Sequence, residues 1–230
     1  MTIAAEKAKE QVLKISLRMV ENALVTSKWG NFSVRIPQEK LIVITPRILP
    51  YGTLQIRDIV VLDMEGQIVE GVRPPSNEFC LHQAIYKARD DVNAVMHTHS
   101  IFASALAVAR KPIPPILEDL ARYVGGEVPV APYARAGTPE LAKAAVETLA
   151  QNNAVLLANH GLVGVGRTTL EALIVCQLVE KAAKVFLLAD LIAHPVVLAG
   201  EDVNFLRQDY LSKYGIEDLR ECLGGVLRHK

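Results

Sequence analysis

A chain of 230 residues that is half apolar can build one substantial core, and the simplest organisation is a single α/β domain over 1–230. Its 25 basic and 25 acidic side chains cancel and neither sign forms a block, which excludes the charge pattern of a nucleic-acid groove or an anionic membrane surface and leaves a small molecule as the expected partner. Cys80, Cys176 and Cys222 are odd in number and lack C-x-x-C spacing, so neither a disulfide framework nor a thiolate zinc site is expected.

Charged Glu6, Lys7, Lys9 and Glu10 stand where a signal peptide needs an apolar core, and Lys184, Asp190 and His194 break the apolar stretch at 182–200. A soluble, unprocessed, cytoplasmic protein is expected. Apolar Val12, Ile15, Met19 and Ala23 recur at three- and four-residue intervals, predicting a helix over about 4–25. Gly30-Asn31 end it. The alternating N-F-S-V-R-I, then L-I-V-I-T-P, I-V-V-L-D-M and, past a turn at Gly66, Q-I-V-E-G predict consecutive strands of an antiparallel sheet.

Pro74, Pro75 and Ser76 read as the capped start of a helix that carries Phe79, His82 or Gln83, and Tyr86 on one face. V-N-A-V-M-H-T-H at 92–99 reads as a buried strand. A helix near 100–109, the proline-rich I-P-P-I-L-E-D-L, V-P-V-A-P-Y, a helix over about 139–151 and the apolar strand A-V-L-L-A-N-H follow. The glycines of G-L-V-G-V-G at 161–166 fall in the wrong order for a dinucleotide loop, and this stretch reads as a hairpin. A long amphipathic helix over about 169–193 and a last one near 202–213 complete a mainly antiparallel or mixed sheet with helices on both faces.

Two of the six histidines, His97 and His99, close the buried strand. Residues i and i+2 of a strand point to the same face about 7 Å apart, so the pair is either a chelate or a hydrogen-bonded core pair. His160 follows another buried strand and precedes Gly161, a glycine suited to a sharp turn. It either punctuates that strand or supplies a third ligand; three neutral imidazoles that leave a fourth position open are the usual set for a catalytic zinc. His82, His194 and His229 lack such partners and read as packed or solvated. Glu78, in the first turn of the helix before the histidine strand, is either a proton acceptor or a carboxylate facing the helix dipole. Ser76 and Asn77 beside it suit an anion.

Gly30-Asn31-x-Ser33, Thr45-Pro46, Ser76-Asn77-Glu78, His97-Thr98-His99-Ser100, Ala131-Pro132-Tyr133 with Gly137-Thr138, and Leu157-Ala158-Asn159-His160-Gly161 occur in an order that resembles the class II aldolase/adducin family, closest to its fuculose-1-phosphate aldolase branch. The resemblance spans nearly the whole chain. It implies a homotetramer with active sites at subunit boundaries, one zinc ion per chain on His97, His99 and His160, and Glu78 as acid/base. It further implies that the metal binds two oxygens of a small ketose phosphate and stabilises the enediolate left when a carbon–carbon bond breaks. Gly30, Asn31, Thr45, Ser76 and Asn77 would form the phosphate end, and Tyr214 would reach a neighbouring subunit's site.

The departures from that pattern are local. The family's Thr-Pro-Ser/Thr-Gly is Thr45-Pro46-Arg47-Ile48 here, so a hydroxyl and a glycine are lost and a β-branched residue that resists positive φ takes their place. Arg47 either grips phosphate or carboxylate or points to solvent. Glu118 stands where the aldolase branch carries a tyrosine. A decarboxylase or a sugar-phosphate 4-epimerase on the same scaffold is the alternative, although epimerase relatives tend to carry Asp where Glu78 stands. A non-catalytic adducin-like scaffold is the reading from another class, and such relatives usually lose the metal ligands kept here.

Overall fold

A computed structural model describes residues 2–213; Tyr214, Cys222 and His229 lie outside them. Helix α1 (Ile3–Glu21) is opened by Thr2, whose hydroxyl accepts from the Ala5 N–H at 3.1 Å. Its buried stripe is Ala5, Ala8, Val12, Ile15 and Met19. The helix ends four residues before the periodicity suggested, because Ala23 adopts a left-handed φ of 54°. Strands β1 (Asn31–Ile36), β2 (Leu41–Ile44), β3 (Val60–Asp63) and β4 (Ile68–Glu70) then pair antiparallel in succession, as expected.

Helix α2 (Phe79–Ala88) leads into β5 (Ala94–Thr98), α3 (Ile101–Ala109), α4 (Glu118–Val124), β6 (Val130–Ala131), α5 (Pro139–Leu149), the hairpin strands β7 (Ala154–Leu157) and β8 (Gly161–Gly166), α6 (Thr169–Ile192) and α7 (Gly200–Lys213). Helix α4 lies inside the stretch read as proline-rich connection. Its start carries Glu118 and Asp119, favourable at the positive end of a helix, and Gly125 closes it at a φ of 101°. Three prolines just upstream hide it in the sequence.

The eight strands form one sheet in the order β4-β3-β2-β1-β5-β8-β7-β6, antiparallel except for the β6–β7 pair. Alternate side chains feed two cores, so helices cover both faces. Phe32, Val43, Met96 and Leu156 pack toward α1, α3 and α6. Ile44, Val95, Val155 and Val163 pack toward α2 and α5. Strand β5 lies in the middle, with Asn31 of β1 opposite His97 on one side and Val163 of β8 opposite it on the other. Its C-terminal end therefore sits on a rigid ladder, and α3 begins directly after it. Glu180 of α6 holds that start, its carboxylate accepting from the Phe102 and Ala103 N–H groups at 3.0 and 2.9 Å. Among the described residues no helix is long and apolar enough to cross a membrane.

Candidate metal centre and cleft

His97 is the last residue but one of β5, His99 follows it by two residues just past the strand, and His160 sits in the turn of the β7–β8 hairpin. The period of two on the strand and the antiparallel pairing of β5 with β8 bring all three to one point. The Nε2 atom of His97 is 2.9 Å from that of His99 and 3.2 Å from that of His160. The rings meet edge to face. The His97 Nδ1–H donates to the Leu162 carbonyl at 3.0 Å, an acceptor that leaves Nε2 as the bare nitrogen of a neutral ring. Burial, then the neighbouring imidazoles, hold the His97 pKa well below its usual value, and burial with His160 lowers that of His99.

Two glycines permit this approach. A Cβ at Gly161 would fall 2.2 Å from the Thr98 carbonyl oxygen, so β8 can close on the histidine strand only with a hydrogen there. The sharp turn expected of Gly161 is made by Asn159 instead, at a φ of 56°. Gly30 has a φ of 86°, and a Cβ there would lie 2.7 Å from the His97 carbonyl oxygen.

Glu78 completes the cluster. It is the N-cap residue of α2 rather than part of its first turn, and its side chain makes no capping bond. Ser76 does not cap α2 either; its Oγ accepts from the Glu78 N–H at 3.3 Å, shaping the turn. The carboxylate reaches Nε2 of His97 at 3.2 Å and Nε2 of His160 at 3.4 Å. Asn31 Nδ2 donates to Glu78 Oε2 at 2.8 Å, while the buried Oε1 has no hydrogen-bond partner.

A divalent cation fits this donor set. Bare nitrogens at 2.9 and 3.2 Å repel one another unless a proton or a cation lies between them. Tetrahedral zinc, with Zn–N bonds of about 2.0–2.1 Å, sets its nitrogens roughly 3.3 Å apart. All three ligand atoms lie within 4.8 Å of one another. Glu78 adds a negative charge beside them.

The cluster forms the floor of a cleft of about 180 Å³. Of the residues singled out in the sequence, Gly30, Asn31, Arg47, Ser76, Asn77, Glu78, His99 and His160 line it. Thr45 does not. It is buried, and its hydroxyl accepts from the Phe32 N–H at 3.3 Å, so it serves the β1–β2 connection rather than an anion. Ile48 stands at the cleft's edge with a φ of 54°, the conformation the sequence argued it would resist. Glu118 is exposed beside Asp119, Arg122 and Lys181, away from its own chain's cleft.

Sequence reasoning missed two residues here and the partners of a third. Lys28 and Trp29 line the cleft, and the Trp29 ring stacks on His99 with centroids 6.3 Å apart. The signal was their position, immediately before Gly30-Asn31. His82, read as packed or solvated, is fully buried and hydrogen-bonded to Asn31.

Comparison with known proteins agrees with this architecture. The family model described as Class II Aldolase and Adducin N-terminal domain matches residues 10–187. The 5-deoxy-D-ribulose 1-phosphate aldolase of Bacillus thuringiensis serovar kurstaki is 32% identical over 89% of this chain and 96% of its own length. The L-fuculose phosphate aldolase of Escherichia coli O6:H1 is 35% identical over 91% of this chain and 96% of its own. A solved L-fuculose 1-phosphate aldolase superposes with a TM-score of 0.87 at 36% identity, covering 89% of this chain and 96% of that one.

Proposed function

Because the chain belongs to the class II aldolase and adducin family, we propose that it is a zinc-dependent lyase that cleaves a small ketose phosphate to dihydroxyacetone phosphate and an aldehyde. The observation that carries the reading is the Glu78 carboxylate lying 3.2 and 3.4 Å from the Nε2 atoms of His97 and His160 at the floor of the cleft.

His97, His99 and His160 would hold the cation, which when bound would supply Lewis-acid stabilisation of the negative charge that cleavage leaves on the ketose oxygens. Glu78 accepts the proton of the hydroxyl on the departing carbon, so that the carbon–carbon bond pair passes toward the carbonyl and the aldehyde leaves. The same carboxylate returns the proton to the carbon left behind. Its Oε1, which accepts no hydrogen bond and lies 3.4 Å from His160 Nε2, is the atom placed to do so. Asn31, Ser76, Asn77 and the cations Lys28 and Arg47 line the anion end of the cleft.

The active unit is a homotetramer with sites at subunit boundaries, which the exposed Leu191, Ile192 and Val196 past the middle of the chain support as surface to be covered.

The test is a screen of short ketose phosphates, deoxy sugars included, and of 3-keto acid phosphates against zinc-loaded protein, with dihydroxyacetone phosphate, carbon dioxide and epimerised sugar as the readouts. Release of dihydroxyacetone phosphate from at least one supports the reading. Carbon dioxide from a 3-keto acid phosphate, or epimerisation without cleavage, would move the protein to the decarboxylase or epimerase alternative.

A further inference from the structure

Three buried groups between β1 and α2 have no part in the proposed chemistry, yet they join its proton acceptor. Asn31 and Ser33 are i and i+2 on β1; His82 and Tyr86 are i and i+4 on α2, so each pair shares a face and the two faces meet. His82 Nε2 contacts Asn31 Oδ1 at 2.5 Å, and His82 Nδ1 contacts Ser33 Oγ at 2.6 Å. Ser33 Oγ contacts Tyr86 Oη at 2.8 Å. All four side chains are buried.

Chemistry fixes the direction of every link. The Asn31 amide must turn its Nδ2 toward the Glu78 carboxylate, which accepts only, so its Oδ1 faces His82. An amide oxygen cannot donate; His82 Nε2 therefore carries the proton. Nδ1 of the neutral ring is then an acceptor, and the Ser33 hydroxyl must donate to it. That leaves the Ser33 oxygen to accept from Tyr86. The chain runs one way, from Tyr86 through Ser33, His82 and Asn31 to Glu78.

We infer that His82 is a positioning residue, the pivot of a buried one-directional hydrogen-bond chain that locks the Asn31 amide and thereby fixes the Glu78 carboxylate against the three histidines. The inference rests on Glu78 being the proton acceptor. Apart from its histidine contacts, the Asn31 amide is the one hydrogen bond to the carboxylate among the described residues. A 180° turn of that amide would set its oxygen against the carboxylate. The His82 Nε2–H prevents the turn, because the flipped NH₂ would then face a donor. Without it, Glu78 keeps its place in sequence but loses the constraint on which oxygen faces the cleft.

Two measurements on the zinc-loaded protein test this. Nitrogen-15 spectra of the imidazoles in the wild type should give His82 as the neutral Nε2–H tautomer between pH 6 and 8; the Nδ1–H tautomer or an imidazolium would overturn the chain. His82→Phe, of similar volume, should retain one zinc per chain and a KM within about twofold of wild type while kcat falls at least about tenfold, the scale of a misplaced reacting group. His82→Gln, which can still present an N–H to Asn31, should recover part of that loss. In a Glu78→Gln background His82→Phe should cost less than twofold more, because the group it positions is already gone. A kcat within twofold of wild type, or the same loss in both backgrounds, would overturn the role. Absence of any ketose-phosphate cleavage by the wild type would instead remove the lyase reading, and the tautomer would still decide whether the chain exists.

Discussion

Asn31 lies directly across the β1–β5 ladder from His97, and its amide donates to the Glu78 carboxylate at 2.8 Å. The candidate ligand and the candidate base are thus registered to each other by a backbone ladder, with one side chain spanning the gap. Sites built on paired central strands hold their geometry better than sites on loops. Each member of the site can be removed singly and the loss read.

The metal comes first. Purified protein should carry about one divalent ion per chain, measured by elemental analysis, and the triple replacement of His97, His99 and His160 by Ala should lose it. Neutral imidazoles converging within 4.8 Å are the ligand set that the described residues offer. Stoichiometric metal persisting in the triple variant would place the ion elsewhere.

Glu78→Gln should keep fold and metal but lose about a hundredfold or more in kcat, the ordinary scale for a positioned general base. The amide preserves the shape and the contact with Asn31. Near-normal turnover at saturating substrate would return Glu78 to a structural role.

The histidine pair was legible because a strand's period of two needs only local sequence, whereas His160 joined it through the resemblance, since the β5–β8 pairing that brings it there is not a local signal. The antiparallel run β1–β4 was legible for the same reason. What escaped depends on contacts across long stretches of chain. Thr45 stands in the right turn, but which way its hydroxyl points is set by Phe32 on another strand. His82 looked unpartnered because Ser33 and Asn31 lie far away in sequence. The closeness of Glu78 to the histidines came from resemblance, since no periodicity relates the start of a helix to the end of a later strand. Ile48 shows the limit of local propensity: it takes a positive φ directly after Pro46 and Arg47, which the bridge to Pro75 and the bond to the Pro74 carbonyl tie to the neighbouring segment.

Glu180 offers a test of the scaffold apart from the chemistry. Its carboxylate satisfies two N–H groups at the start of α3, immediately after His99, where Ser100 makes no side-chain cap. Glu180→Ala should therefore lower stability by about 1–2 kcal/mol in a denaturant titration. An unchanged midpoint would mean that water or Ser100 replaces the cap.

Acid should destabilise the metal-free protein in a defined window. Burial, then the nearby His97, pushes the His82 pKa down to about 3 from its usual 6.5. Because the folded value lies below the unfolded one, the unfolded chain takes up the proton first as pH falls. Stability from this group is complete above pH 6.5 and declines toward pH 3, by up to about 1.4 kcal/mol per pH unit. His82→Phe should flatten that part of the stability–pH curve. A curve of unchanged slope in the variant would assign the acid sensitivity to other groups.

Arg47 is where this chain departs most from the pattern it resembles, and the structure narrows what it can do. Pro46 has no N–H, and the Arg47 N–H is already bonded to the Pro74 carbonyl at 2.9 Å, so neither backbone group is available to an anion in the cleft. The guanidinium is exposed and lines the same cleft as Lys28, Ser76 and Asn77. A planar five-donor fork is the side chain best able to stand in for lost backbone donors. Its grip on a remote phosphate is made equally in ground and transition states. Arg47→Ala should accordingly raise KM about tenfold or more while kcat changes by less than about twofold. Arg47→Lys should recover only part of the loss, since a point charge cannot bond two oxygens in one plane. Steady-state kinetics on the cleaved ketose phosphate decide it: a KM unchanged in both variants would assign the anion to Lys28 and the Ser76–Asn77 turn instead.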